Sequence, residues 1–347
     1  MTCLYINLSG SLDTFAPECQ VCMTLSHVEL MEQTMKPCGS GKMSIGGWIA
    51  IAVAIVVGAT AGQADGQGPD RVMSGSVQIE RFGSPAGRDV ILVPGLATPG
   101  EVWDDTVAAL GDNVDAHVVT LAGFGDVPTA SRGEAGVVGS AVADLAAWLA
   151  AEGLEDAVLV GHSMGAQIAL QLAEQAPDHV GAVVVVDSAP FFARLFNPAI
   201  TADQASAYAT GMAAQMAAAP REQFLAMSRQ GLPVQSITTE GQARVMGWME
   251  MADQGVVSAA MGEVMGSDYS PVLPQVTVPV TVMFAWSEGS PMSADQLESV
   301  YANQYAGLAD VDLMRVDGSR HFIMLDQPEV FHAVLTGVQA ANIAGRE

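Results

Sequence analysis

The sequence predicts an α/β fold: a mainly parallel central sheet, helices on both faces, and a helical segment inserted late in the chain. Three observations lead there. Apolar runs of about five residues alternate with stretches of helical spacing. A glycine-flanked serine stands between one such run and one such helix. After Asp187 the strand-like runs stop, and they resume only near residue 278.

The elements follow in order. Residues 62–70, rich in Gly, Asp, Gln and Pro, read as a linker, and residues 76–82 alternate as a first strand. Residues 89–95 (Asp-Val-Ile-Leu-Val-Pro-Gly) form a continuous apolar run ending in Pro-Gly, as a strand buried on both faces should. Residues 117–121 repeat that pattern and lead into Ala-Gly-Phe-Gly. Val138, Val142, Leu145, Trp148 and Leu149 have the spacing of a helix over 137–151. Residues 157–160 give the next strand, 166–175 a helix stopped by Pro177, and 181–186 another apolar strand. Residues 190–270 are rich in Ala, Met and Gln and read as a helical cap, although methionine as a flexible core filler explains the same composition. Strands return at 278–284 and 311–316, and a helix over 329–341 closes the chain. The expected organisation is an extension at 1–64, a core at 65–187 and 272–347, and a cap at 188–271.

Composition narrows the function. The chain has 347 residues, 13 basic and 38 acidic, for a formal net charge of −25. Such a surface repels a phosphate backbone, and aromatic residues at 6% are too few to offer stacking platforms, so a nucleic-acid partner is excluded. All four cysteines (Cys3, Cys19, Cys22, Cys38) and both lysines (Lys36, Lys42) lie near the start. An uncharged apolar run at 43–64 follows the lysines and ends in small residues, the pattern of a signal peptide; a start at Met35 would proportion it well. The expectation is a secreted or periplasmic protein, with membrane association only if that segment stays uncleaved as an anchor. Cys19, Cys22, His27 and Cys38 lack the second half of a zinc pattern.

The chemistry centres on Gly161-His162-Ser163-Met164-Gly165. An apolar strand runs into this pentapeptide and a helix leaves it, the strand–turn–helix in which a nucleophilic serine is raised on a strained turn. The turn aims the Met164 N–H at a developing oxyanion. Among the histidines, His321 stands apart, in a loop after the last strand where a parallel sheet gathers its binding groups. It is the expected general base, while His162 reads as packing.

With those residues in view, the chain resembles the α/β-hydrolase superfamily with a helical cap, over about residues 75–345. Gly161–Gly165, Gly123-Phe-Gly125, Gly95 with Trp103, and the run from His321 to Pro328 carry the likeness. The resemblance implies a second oxyanion N–H on Leu96, although the family's frequent His-Gly there is Pro94-Gly95. It places the third triad member just past the strand following the cap, where this chain has Glu288. Asp187, where some relatives keep the acid, is the rival; Glu288 is preferred. The implied activity is hydrolysis of small-molecule carboxylic esters or lactones of small to medium acyl groups through an acyl-enzyme. A carbon–carbon bond hydrolase with the same triad, or a non-catalytic binding protein on this scaffold, are the alternatives. No metal or organic cofactor is suggested, because no His/Asp/Glu cluster has ligand spacing and no Gly-x-Gly-x-x-Gly opens a helix after the first strand.

Overall fold

A computed structural model of the chain describes residues 70–344. The extension with its cysteines and the expected signal or anchor lie outside the described residues. Among these residues, no helix is long and apolar enough to cross a membrane.

Eight strands form one sheet in the order β1-β2-β4-β3-β5-β6-β7-β8. They are β1 (Asp70–Ser74), β2 (Val77–Gly83), β3 (Arg88–Val93), β4 (Val114–Leu121), β5 (Ala157–His162), β6 (Val180–Val186), β7 (Val280–Trp286) and β8 (Val311–Asp317). β2 is antiparallel to both β1 and β4, and every other pairing is parallel. Side chains alternate across the sheet. Val90 and Leu92 of β3 join Val158, Val160, Val184 and Val186 on one face, against Trp103, Phe331 and Leu335. Ile91 and Val93 join Leu159, Val183 and Val185 on the other. Both faces are covered, which is why these strands read as unbroken apolar runs.

Helices α1 (Asp104–Leu110), α2 (Gly136–Glu152) and α3 (Met164–Gln175) connect the first strands. Between β6 and β7 come α4 (Ala202–Ala218), α5 (Arg221–Gln235), α6 (Thr239–Met251) and α7 (Gln254–Gly266). The chain ends with α8 (Ala294–Gln304), the short α9 (Ile323–Asp326) and α10 (Pro328–Ala344). Three of the four inserted helices start on side-chain caps, from Thr201, Thr238 and Asp253. α4 meets α7 along small residues; a Cβ on Gly262 or Gly266 would lie 2.9 or 3.0 Å from Ala213 or Ala209. The insert is tied to the sheet by polar bonds. Glu263 of α7 accepts the Val137 and Val138 N–H groups at the start of α2 (2.7 and 2.8 Å). The Trp248 indole of α6 donates to Glu101, and Asp253 N–H donates to Gly123 O (2.8 Å).

Among the elements where the structure departs from the sequence reading are β1, α1 and α8. β1 begins at the end of the expected linker and pairs with β2 through a tight turn at Gly75 (φ 58°). A Cβ there would sit 2.3 Å from the Asp144 carboxylate, which binds both the N–H and the hydroxyl of Ser76 (2.6 Å each). α1 and α8 are helices where no helix was expected. α1 buries only Thr106, and α8 only Tyr301 and Gln304, so neither writes an apolar stripe into the sequence.

Parallel register assembles the site. Gly161 of β5 pairs with Val185 of β6, Val186 with Met283 of β7, and Trp286 with Asp317 of β8. The carboxyl ends of four strands therefore finish side by side. Ser163 follows β5, Asp187 follows β6, and the His321 loop follows β8.

Candidate active site

Ser163 occupies the turn from β5 into α3 with φ 53° and ψ −118°, a conformation that costs a non-glycine residue about 1–3 kcal/mol. The surroundings enforce it. Ser163 N–H donates to Val186 O (2.9 Å), and Ser163 O accepts from Ala166 N–H (3.0 Å). The flanking glycines are required sterically: a Cβ on Gly161 would lie 2.4 Å from Gly165 O, and one on Gly165 2.3 Å from Val93 O. Both contacts are with backbone, which cannot step aside.

The loop after β3 lies directly against this turn. A Cβ on Gly95 would come within 2.8 Å of His162 Nδ1 and 3.1 Å of the Ser163 Cβ. Thr98 N–H closes the loop onto Gly95 O (3.3 Å), with Ala97 at φ 57°. Leu96 is thus held beside the elbow. Met164 begins α3, where the first N–H groups of a helix have no intrahelical acceptor.

His321 Nδ1 lies 2.7 Å from Asp187 Oδ2. A carboxylate oxygen only accepts, so Nδ1 carries the proton and Nε2 is left as a base. Asp187 is fixed in turn. Its Oδ1 accepts Ala285 N–H (2.8 Å) and the Tyr301 hydroxyl (3.4 Å), and its own N–H donates to Met283 O (2.8 Å). Burial, and then the neighbouring Asp187 charge, push the Tyr301 phenol well above its ordinary range, so it stays a donor. The carboxylate at His321 is Asp187, and the preference for Glu288 is corrected. Glu288 is exposed, in a turn that closes on itself through Ser290 N–H to Ser287 O (3.0 Å), two residues beyond β7. The last turn of β7 instead spends Ala285 N–H on Asp187, whose side chain already fills the approach to the imidazole.

His162 is more than packing. It is fully buried, its ring 4.6 Å from that of His321 and 4.5 Å from that of Phe322. Its Nε2 lies 3.0 Å from the His321 carbonyl oxygen, which can only accept, so Nε2–H donates. Burial, followed by the nearby His321, holds its pKa well below the ordinary histidine range, so the ring stays neutral. Sequence reasoning could not see this bond, which joins residues far apart in the chain.

The ligand atoms of Asp89, Asp115 and His117 all lie within 4.8 Å of one another, the grouping among the described residues that could hold a metal. Its donors are already engaged. Arg81 Nε approaches both oxygens of Asp115 (2.7 and 2.9 Å), and His117 Nε2 lies 2.9 Å from Asp89.

The chain is similar to known proteins. The sequence fits a family model described as alpha/beta hydrolase family over residues 90–334. The chain belongs to that family. This hydrolase is 38% identical over 117 residues to the pimeloyl-[acyl-carrier protein] methyl ester esterase of Aeromonas hydrophila, 34% of this chain and 43% of that one. It is 36% identical over 107 residues to the N-formylmaleamate deformylase of Pseudomonas putida, 31% of this chain and 39% of that one. These matches span less than half the length of either relative. Among solved structures, a thermophilic esterase from Thermogutta terrifontis superposes with a TM-score of 0.63 at 19% identity, covering 79% of this chain and 99% of that one. That likeness is one of fold.

Proposed function

We propose that this hydrolase cleaves carboxylic esters, or lactones, of small to medium acyl groups through an acyl-enzyme on Ser163. The observation that carries the reading is the Asp187–His321 hydrogen bond beside a serine held on a strained elbow. Ser163 Oγ attacks the ester carbonyl as His321 Nε2 takes its proton. The Leu96 and Met164 N–H groups receive the negative oxygen of the tetrahedral intermediate. His321 then hands its proton to the departing alcohol, and water repeats the sequence to release the acid. Asp187 holds the imidazole in the right tautomer and stabilises its transient positive charge. A placed acid also supports catalysis over a role as a binding protein on this scaffold. The inserted helices serve in this reading as a cap over the substrate, and the amino-terminal pattern of basic residues and apolar run supports export from the cytoplasm.

Ser163→Ala and His321→Ala are each expected to lower kcat on aryl esters by about 10⁴–10⁶, with thermal unfolding unchanged. Retention of a tenth of the activity by either variant would overturn the mechanism. Aryl esters of increasing chain length test the acyl range: methionines in the insert favour medium chains over acetyl. Turnover of a β-diketone with none of aryl esters would move the reading to carbon–carbon bond hydrolysis.

A further inference from the structure

Asp326, at the end of α9, folds its carboxylate back over the loop that carries His321. One oxygen accepts Arg320 N–H (2.8 Å), from the residue immediately before the histidine. The other accepts the Ser236 hydroxyl (2.6 Å), and Ile237 N–H lies 3.1 Å from both. Three neutral donors from two distant segments therefore converge on one carboxylate. Ser236 is fully buried and sits at the junction of α5 and α6, where its backbone oxygen is held by the Gln242 amide (2.9 Å).

The same junction grips the loop by its backbone. His321 N–H approaches Val234 O (3.4 Å), and Phe322 N–H donates to Gln235 O (2.9 Å). Residues 320–326 are thus bound to residues 234–237 through main-chain bonds at one end and the Asp326 clasp at both. Asp187 fixes the imidazole's rotation, but a single hydrogen bond cannot fix where the ring's backbone stands. Misplacement of a reacting group by about 1 Å can cost about 10²-fold in rate.

We infer that Asp326 is a positioning residue for His321: it clasps the loop of the base to the α5–α6 junction, so the inserted helices set the distance between base and nucleophile. This rests on the proposed role of His321 and goes beyond it, because it makes part of the insert a structural component of the base. Asp326 touches neither substrate nor imidazole and acts only through the loop.

The test is a double-mutant cycle on the full chain with p-nitrophenyl butyrate as the probe. Asp326→Asn keeps the shape but turns an amide towards donors that need an acceptor. It is expected to lower kcat by about 10- to 100-fold with KM changed less than about twofold. In a His321→Ala background the same substitution is expected to change residual hydrolysis by less than about twofold, since a positioning residue has nothing left to position. Ser236→Ala removes one donor and should give the same pattern at smaller size, about 3- to 10-fold. It serves as the deciding variant should Asp326→Asn fail to fold. An unchanged kcat, or an equal loss in both backgrounds, would overturn the inference, because a merely structural residue weakens both alike. Should the wild-type chain spare the ester while a fluorophosphonate still labels Ser163, the ester reading fails by itself. The cycle is then read from the labelling rate, with the same outcomes for and against.

Discussion

The backbone of Asp187 is as unusual as that of Ser163, at φ 46°. Each strained residue is pinned by a strand neighbour, Ser163 N–H on Val186 O and Asp187 N–H on Met283 O (2.9 and 2.8 Å). Strain of this kind persists only where surrounding bonds over-determine it, and here it sits at the carboxyl ends of two adjacent strands, where Asp187 binds the His321 imidazole. An Asp187→Asn variant presents an acceptor and a donor where His321 needs only an acceptor, favouring the wrong tautomer. Its kcat on aryl esters is expected to fall by about 10⁴, while Glu288→Gln stays within about twofold of wild type. The opposite ranking would return the acid to the loop after β7. Ser163 and His321 were legible because a local pattern marks each: an elbow between strand and helix, and a loop after the last strand. The acid was not, because Glu288 and Asp187 both follow strands by a residue or two. Only the register of β6 against β7 tells which one turns inward.

At the scale of elements, most strands announced themselves as unbroken apolar runs and the core helices through period-3.6 burial. The exceptions were β1, which pairs only at the sheet edge, and α1 and α8, which bury too few side chains to write an apolar stripe. The insert could be read as helical, but its attachment points could not, since each joins residues far apart. Glu263 is the clearest. Burial pushes its carboxyl above the ordinary range, against the pull of the Val137 and Val138 N–H groups and of Arg132. A raised folded-state value means that the native protein binds more protons than the unfolded chain across the interval. The contribution to stability is therefore full below the unfolded value, about 4.3, and is lost as pH rises through the folded one. Glu263→Gln removes the titration and leaves a pH-independent offset for the altered hydrogen bonds. The urea midpoint of wild type minus that of the variant is expected to fall as pH rises above the unfolded value of about 4.3. A difference that stays level or climbs with pH would show that ionised Glu263 is no costlier in the fold than in the open chain.

For the whole molecule, charge is the dominant unbalanced quantity. With 38 acidic residues against 13 basic ones, pairing can neutralise only a minority of the acids. Five of the arginines are already committed to carboxylates: Arg71 to Glu80, Arg81 to Asp115, Arg229 to Glu250, Arg244 to Asp105, and Arg315 to Glu298 and Asp317. Added salt therefore acts on two opposing terms. It weakens these pairs, mostly surface contacts of which each contributes about 0–1 kcal/mol. It also screens repulsion among the many acids that have no cation to pair with, and shortens the screening length from about 20 Å at about 0.02 M to about 4 Å at about 0.5 M. The repelling acids outnumber the pairs, so screening wins and the compact state gains. The unfolding midpoint is expected to climb by several degrees across that range of sodium chloride, measured by calorimetry at constant pH. An unchanged or falling midpoint would mean that the five arginine anchor points, above all the buried Asp115 pair, outweigh the net repulsion. In that case Arg81→Gln should abolish the salt-induced loss.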